Sequence, residues 1–283
     1  MTFPLVGVGL PIIEPLAGPD AIRRIALAAD RFGFHSVGTY DRLLVPATPA
    51  WRNDAGLPEH AAFDALEALT FVAAVTEHVR LVPGVVNALF QPPVLLARRL
   101  ATLDRLSGGR VCAGLGQGWL PEEFAVSGVP PARRGRGFEE YLEVLRACWA
   151  PDPVEHDGPR YPVARALIGP KPERPLPILL GAVAPEAVER AARLADGLIV
   201  AFLSWENTEE QLRIYRDAGG DGRIVLRAGP PGAAFLEPTI VKDLGRAADL
   251  GVTEVIWDLN VVGLGVDEQL AAFEDLAFEL GTC

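Results

Sequence analysis

A single (β/α)8 TIM barrel over residues 1–283 is the fold this sequence predicts, and three observations carry that reading. Short apolar runs alternate about eight times with amphipathic helical patterns, which is the arithmetic of such a barrel. The runs are continuously apolar rather than alternating, as strands of a parallel sheet covered on both faces are. No linker, low-complexity segment or sequence-level repeat divides the chain.

Leu5 to Leu10 (LVGVGL) is the first strand, ended by Pro11. Asp20 is expected to cap a helix with the stripe Ile22, Ile25, Ala29 and Phe32, stopped by Gly33. Ser36 to Tyr40 is the second strand, with Asp41 and Arg42 at its C-terminal end. Leu43 to Ala62 is proline-rich and aperiodic, hence a long loop. Asp64 caps a helix through Leu66, Leu69, Val72 and Ala73, and Val79 to Val86 is the third strand. Pro92 and Pro93 suit a helix start, where a missing N–H costs nothing. Leu96, Leu100, Leu103 and Leu106 form its stripe, and Gly108 and Gly109 end it. Val111 to Leu115 is the fourth strand, leaving through Gly114, Gly116 and Gly118 to Trp119.

After Trp119 a loop leads to a helix with Phe138, Tyr141, Leu142, Leu145 and Trp149 on one face. Pro151 to Pro177 carries many prolines and no period and reads as an excursion. Ile178 to Leu180, ending at Gly181-Ala182, is the fifth strand, and Pro185 opens the next helix. Leu198 to Leu203 is the sixth strand, and Asn207 is expected to cap a helix through Leu212 and Tyr215. Ile224 to Arg227 is the seventh, followed by a turn at Gly229-Pro230-Pro231-Gly232 and a helix near Ile240 to Leu250. Glu254 to Leu259 is the eighth, and Asp267 is expected to cap a last helix carrying Leu270, Phe273, Ala277 and Leu280. A doubly wound open sheet is the rival. It lacks the G-x-G-x-x-G turn such sheets use, since Gly114, Gly116 and Gly118 have the wrong spacing.

Composition narrows the chemistry. The net charge of −11 speaks against nucleic acid, whose phosphates need clustered Lys and Arg. The local basic clusters are Arg23/Arg24, Arg98/Arg99 and the run Arg133, Arg134, Arg136. Cys112, Cys148 and Cys283 show no CxxC spacing, and the two that fall in apolar strand or helix patterns read as reduced core thiols, which fits a cytoplasmic protein. No apolar run reaches membrane-spanning length, so no membrane partner is expected. His35, His60, His78 and His156 are scattered, none at ligand spacing and none at a strand end. That disfavours a metal site and removes a Ser-His-Asp triad.

In a barrel the active site lies at the C-terminal ends of the strands. That rule selects Leu10, Asp41, Arg42, Asn87, Gln117, Trp119, Glu122, Gly181, Ala201, Ser204, Trp205, Arg227, Asp258 and Asn260. Asp41-Arg42 is the sharpest charged pair, with a surface ion pair as the bland alternative. Two glycine-rich strand exits, an aromatic residue and few titratable groups suit a cofactor that brings its own reactivity.

The block LLARRLATLDRLSGGRVCAGLGQGWLPEEF, followed by GVPPARRGRGFEEYLEVLRACW, resembles the bacterial luciferase-like superfamily. It is most similar to the short deazaflavin (coenzyme F420)-dependent oxidoreductases of actinobacteria. DGPRYPV and KPERPLPILLGAVAPEAVERAARLADGLIV resemble that family's middle section. The resemblance implies a barrel, often dimeric, that moves a hydride between F420 and a small organic substrate, with FMN as the alternative cofactor. An FMN-dependent monooxygenase and a non-catalytic flavin-binding barrel are the rival functions. Gly9 and Leu10 belong to the implied cofactor site. A cis Gly84–Val85 peptide is implied to back the ring, and Asp41 to lie near its polar edge. Gln117, Gly118, Trp119 and Glu122 are implied to line the pocket. Gly181 and Ala182 are implied to offer N–H groups to a phosphate, with Ala201 nearby. The tail's carboxylates would be screened by Arg227 and the Arg133–Arg136 run. The family's frequent Asp-His is Asp41-Arg42 here, and an arginine is a poor general acid. Asp41, Arg42 and Glu122 are the catalytic candidates, and Tyr40 or water remain open as proton donors.

Overall fold

The protein is described from a computed structural model over residues 3–49, 51–52, 61–229, 234–236 and 238–282. Its main sheet has nine strands, every pair parallel. They are β1 (Leu5–Gly9), β2 (Ser36–Thr39), β3 (Arg80–Pro83), β4 (Val86–Asn87) and β5 (Ala113–Gly116). A hairpin, β6 (Val154–His156) and β7 (Val163–Ala166), stands apart. The sheet resumes with β8 (Ile178–Gly181), β9 (Gly197–Ala201), β10 (Arg223–Ala228) and β11 (Glu254–Trp257).

The expected third strand is one stave broken in two. Residues Gly84 and Val85 interrupt it, leaving β3 on β2 and β4 on β5. A parallel bridge between Leu81 and Val111 joins the ends of the sheet, with Leu81 N–H donating to Arg110 O (2.9 Å) and Cys112 N–H to Leu81 O (3.1 Å). Counting β3 and β4 together, eight staves close the barrel.

The helices around the barrel are α1 (Pro19–Arg31), α2 (Ala65–Ala73), α3 (Pro93–Ser107), α4 (Pro121–Val126), α5 (Arg136–Trp149), α6 (Pro185–Leu194), α7 (Trp205–Asp217), α8 (Ile240–Asp249) and α9 (Val266–Leu280). Asp64 caps α2 as expected, its carboxylate accepting from Leu66 and Glu67 N–H. Three other caps differ. Gly18 precedes α1, and Asp20 lies inside its first turn, where it complements the helix dipole. Ser204, not Asn207, caps α7, its Oγ accepting from Asn207 N–H. Gly265 precedes α9, and Glu268 reaches back to accept its N–H (2.7 Å), leaving Asp267 in the first turn.

Two elements have no counterpart in the sequence expectation. The short helix α4 follows Trp119 directly. The β6–β7 hairpin occupies the stretch read as structureless. Its strands, VEH and VARA, are mostly solvent-facing and carry no apolar run. The buried carboxylate of Glu140 pins its turn by accepting from Arg160 N–H (2.7 Å) and Tyr161 N–H (2.8 Å). The Gly229–Gly232 turn and Cys283 lie wholly or partly outside the described residues.

Side chains inside the barrel are layered, because every second strand residue points inward. At the N-terminal end, Ser36 Oγ donates to Glu254, and Arg223 Nη2 meets the same carboxylate at 2.7 Å. Above them Val82, Cys112, Leu179, Ile199, Val225 and Ile256 form an apolar plug. Burial pushes the Cys112 thiol up to about 11, so it is an inert core thiol. At the C-terminal end the last inward positions divide the mouth. On one side stand Tyr40, Arg227 and Asp258, and on the other Gly116, Gly181 and Ala201. One half of the barrel mouth is filled, and the other is hollow.

Candidate functional site

A cavity of about 360 Å3 occupies the hollow half. Val85 lies between Gly116 and Gly181, close enough that a Cβ on either glycine would stand 2.6 or 2.7 Å from its methyl groups. The small residues therefore let Val85 present an apolar surface. The Gly84–Val85 peptide is cis. Gln117, Gly118 and Trp119 line one side, and Gly181, Ala182 and Ala201 the other. Gln117 also braces the mouth, its Oε1 accepting the N–H of Gly135 at the start of α5 (2.9 Å). Trp119 is half exposed at the rim.

The structure does not bring every expected residue to this cavity. Gly9 packs against the Asp258 side chain instead, leaving it the room a Cβ would occupy. Leu10 is buried, donating its N–H to Gly38 O (2.8 Å) and accepting from Asn260 Nδ2 (3.0 Å). Asp41 stands one residue behind the wall. Its Oδ2 accepts the N–H of Asn87 (2.9 Å), a residue that does line the cavity. Arg42 is off the wall, its charge acting on Tyr40 and Glu123. Glu122 opens α4, also off the wall, with Oε2 buried and unpartnered among the described residues.

Beyond Gly181 and Ala182 the backbone offers further N–H groups. Ala182 N–H points to Ile199 O at a long 3.4 Å, whereas the N–H groups of Val183 and Ala184 have no acceptor among the described residues. Both residues line the cavity and lead into α6, whose N-terminus has no side-chain cap. Pro185 at the first helical position was the signal that marked this terminus. Of the arginine run only Arg134 reaches the cavity, since Arg133 stacks on Tyr161 at 5.0 Å and Arg136 is exposed on α5. Arg227 lines the cavity and is tied to its floor. It lies inside the mouth, donating from Nη1 to Gly84 O (2.9 Å) and from Nη2 to Asp258 (2.5 Å).

Glu123, which the sequence left unmarked, is almost fully buried and accepts the N–H of Leu43 at 2.7 Å. It thereby ties the loop after Asp41 to α4. Burial raises the Glu123 carboxyl and raises Asp41 more, to about 6, against the opposing Asn87 hydrogen bond. Burial also lifts the Tyr40 phenol to about 12, although the Arg227 guanidinium lies 4.7 Å over its ring. The Tyr40 hydroxyl is buried without a partner among the described residues. No cluster of His, Cys, Asp and Glu suited to a metal occurs among the described residues, and no helix there is long and apolar enough to cross a membrane.

A buried carboxyl with a raised pKa has a defined pH signature. The folded state holds the Asp41 proton to higher pH than the unfolded chain, so stability falls as pH rises from about 4 through about 6. Asp41→Asn is expected to stabilise the protein by about 2 kcal/mol at neutral pH and by almost nothing near pH 4. Urea unfolding at the two pH values checks this. An equal effect at both would show that Asp41 carries no such charge cost.

The fold has counterparts among known proteins. An F420-dependent glucose-6-phosphate dehydrogenase of Amycolatopsis mediterranei is 33% identical over 250 residues, covering 87% of this chain and 68% of the relative. A monooxygenase of Streptomyces bottropensis superposes with a TM-score of 0.75 at 22% identity, covering 96% and 97% of the two chains. An F420-dependent secondary alcohol dehydrogenase, solved with an F420–acetone adduct, superposes with a TM-score of 0.74 at 18% identity, covering 95% and 98%. The family model described as luciferase-like monooxygenase matches residues 6–228. This chain therefore belongs to the luciferase-like monooxygenase family.

Proposed function

We propose that this protein is an F420-dependent oxidoreductase that moves a hydride between the deazaflavin and a small organic substrate. The observation that carries the reading is the hollow half of the mouth, where Val85 lies between Gly116 and Gly181 beside N–H groups before α6 that have no acceptor among the described residues. A flat ring needs the first feature and a phosphate the second, so the residues present fit the group. The choice of F420 is supported by the Amycolatopsis relative and by the resemblance of the central block.

When bound, the deazaflavin supplies hydride chemistry. The chain's own residues do the rest. Val85 would back the ring, and Gln117, Gly118 and Trp119 would line its pocket. Val183 and Ala184 would offer N–H groups to the phosphate, and Arg134 would be available to the anionic tail. Trp119 and the apolar Val183 restrict water at the rim. Asp41, its carboxyl raised by burial to about 6, holds the exchangeable proton behind Asn87, while Arg42 and Tyr40 supply polarity. Glu122 stands ready at the start of α4. The protein works on a small molecule as a cytoplasmic homodimer.

An FMN-dependent monooxygenase is the second reading, favoured by the name of the matching family. Fluorescence titration of the protein with both cofactors separates them. F420 is expected to bind at least about tenfold tighter than FMN, a difference of about 1.4 kcal/mol, with turnover that consumes no O2. Submicromolar FMN binding with no measurable F420 binding reverses the assignment.

A further inference from the structure

Among the described residues, Arg227 is the charged side chain that belongs to both halves of the barrel mouth. It lines the cavity, yet its hydrogen bonds go to the Asp258 carboxylate and to the backbone of Gly84. Nη2 is held by the carboxylate of Asp258, whose other oxygen accepts Asn260 N–H (3.1 Å) and Nδ2 (2.7 Å). Asn260 in turn donates to Leu10 O, so β1, β10 and the end of β11 all fix the guanidinium. Tyr40 covers its face. The remaining bond, from Nη1, goes across the barrel to the carbonyl of Gly84.

That carbonyl belongs to the residue before Val85, in the gap between β3 and β4 where no strand pairing holds the backbone. On the other side Gly84 N–H donates to Thr39 O (2.7 Å), so the Gly84 unit is gripped by β2 at one end and by Arg227 at the other. With Asp258 neutralising it, Arg227 contributes direction more than charge.

We infer that Arg227 is a positioning residue of the cavity: anchored by Asp258 and Tyr40, it holds Gly84 so that Val85 forms the surface on which a flat ring seats. The inference rests on the cofactor reading given above and adds to it a residue that acts through the backbone rather than on the ring.

The test uses the full chain as wild type, Arg227→Met (similar length, no donors) and Arg227→Lys (one donor kept). F420 and FMN affinities are titrated, and the visible circular dichroism induced in the bound ring is recorded. In the ligand-free protein, valine-methyl NMR spectra report Val85, and thermal unfolding reports the fold. Arg227→Met is expected to weaken binding of the preferred ring by tenfold or more, to alter its induced dichroism, and to shift or broaden the Val85 methyl signals. Arg227→Lys, which also serves if the Met variant does not fold, is expected to recover part of each. Unchanged affinity, dichroism and Val85 signals, with only a lowered melting temperature, overturn the inference and leave Arg227 a stabilising residue. A wild type that binds neither ring overturns the cofactor reading instead. In that case unchanged Val85 signals in the ligand-free variants would overturn the inference as well.

Discussion

Gly181→Val is expected to abolish ring binding while leaving the barrel folded. The Gly181 Cα faces the Val85 side chain so closely that the first added carbon would stand 2.7 Å from a methyl group. Two further methyls would then occupy part of a cavity of only about 360 Å3, near the small end of ligand sites. Because the residue borders a cavity and not the packed plug below, the side chain has somewhere to go, and the fold survives. The expected loss is about 100-fold in affinity for F420 or FMN, equivalent to about 2.7 kcal/mol. Titration with both cofactors, alongside far-ultraviolet circular dichroism, measures it. Wild-type affinity in the folded variant would place the ring elsewhere.

Gly114→Ala is expected to act on stability instead. Gly114 faces inward one layer below, where its missing Cβ leaves room for the backbone carbonyl of Pro83 and for Ile199 Cδ1. A backbone carbonyl in a strand does not swing aside as a side-chain tip does. This is also the seam of the barrel, where β3 pairs with the chain entering β5 through the Leu81–Val111 bridge. Overpacking there is expected to cost about 3 kcal/mol. Urea unfolding with an unchanged slope would register it as a lowered midpoint. A loss below about 1 kcal/mol would show that the seam yields.

The elements that were legible in the sequence are those whose apolar residues repeat with one period. The Leu96–Leu100–Leu103 stripe of α3 and the continuous runs of β8 to β11 announce themselves, because burial against the barrel demands them. The β6–β7 hairpin was invisible for the opposite reason: a buried Glu140 holds it from outside, and its own residues face water. Helix caps misled where a nearby Asp or Asn shares the first turn with the real cap, as at Asp20, Asn207 and Asp267. At the site, glycines at strand ends were readable because their spacing survives in one dimension. What lies across the barrel was not. Nothing in the order of residues says that Arg227 meets Gly84, that Gly9 gives its space to Asp258, or that Glu123 ties down Leu43.

The layered interior has a kinetic consequence. Below Val85 the barrel is stoppered by an apolar plug and, beneath it, by the Ser36–Glu254–Arg223 cluster. The chamber is therefore closed at its lower end and is entered from the mouth. If a ring seats on Val85 as proposed, a substrate stacked upon it is expected to load second and leave first, and product-inhibition patterns would register that order.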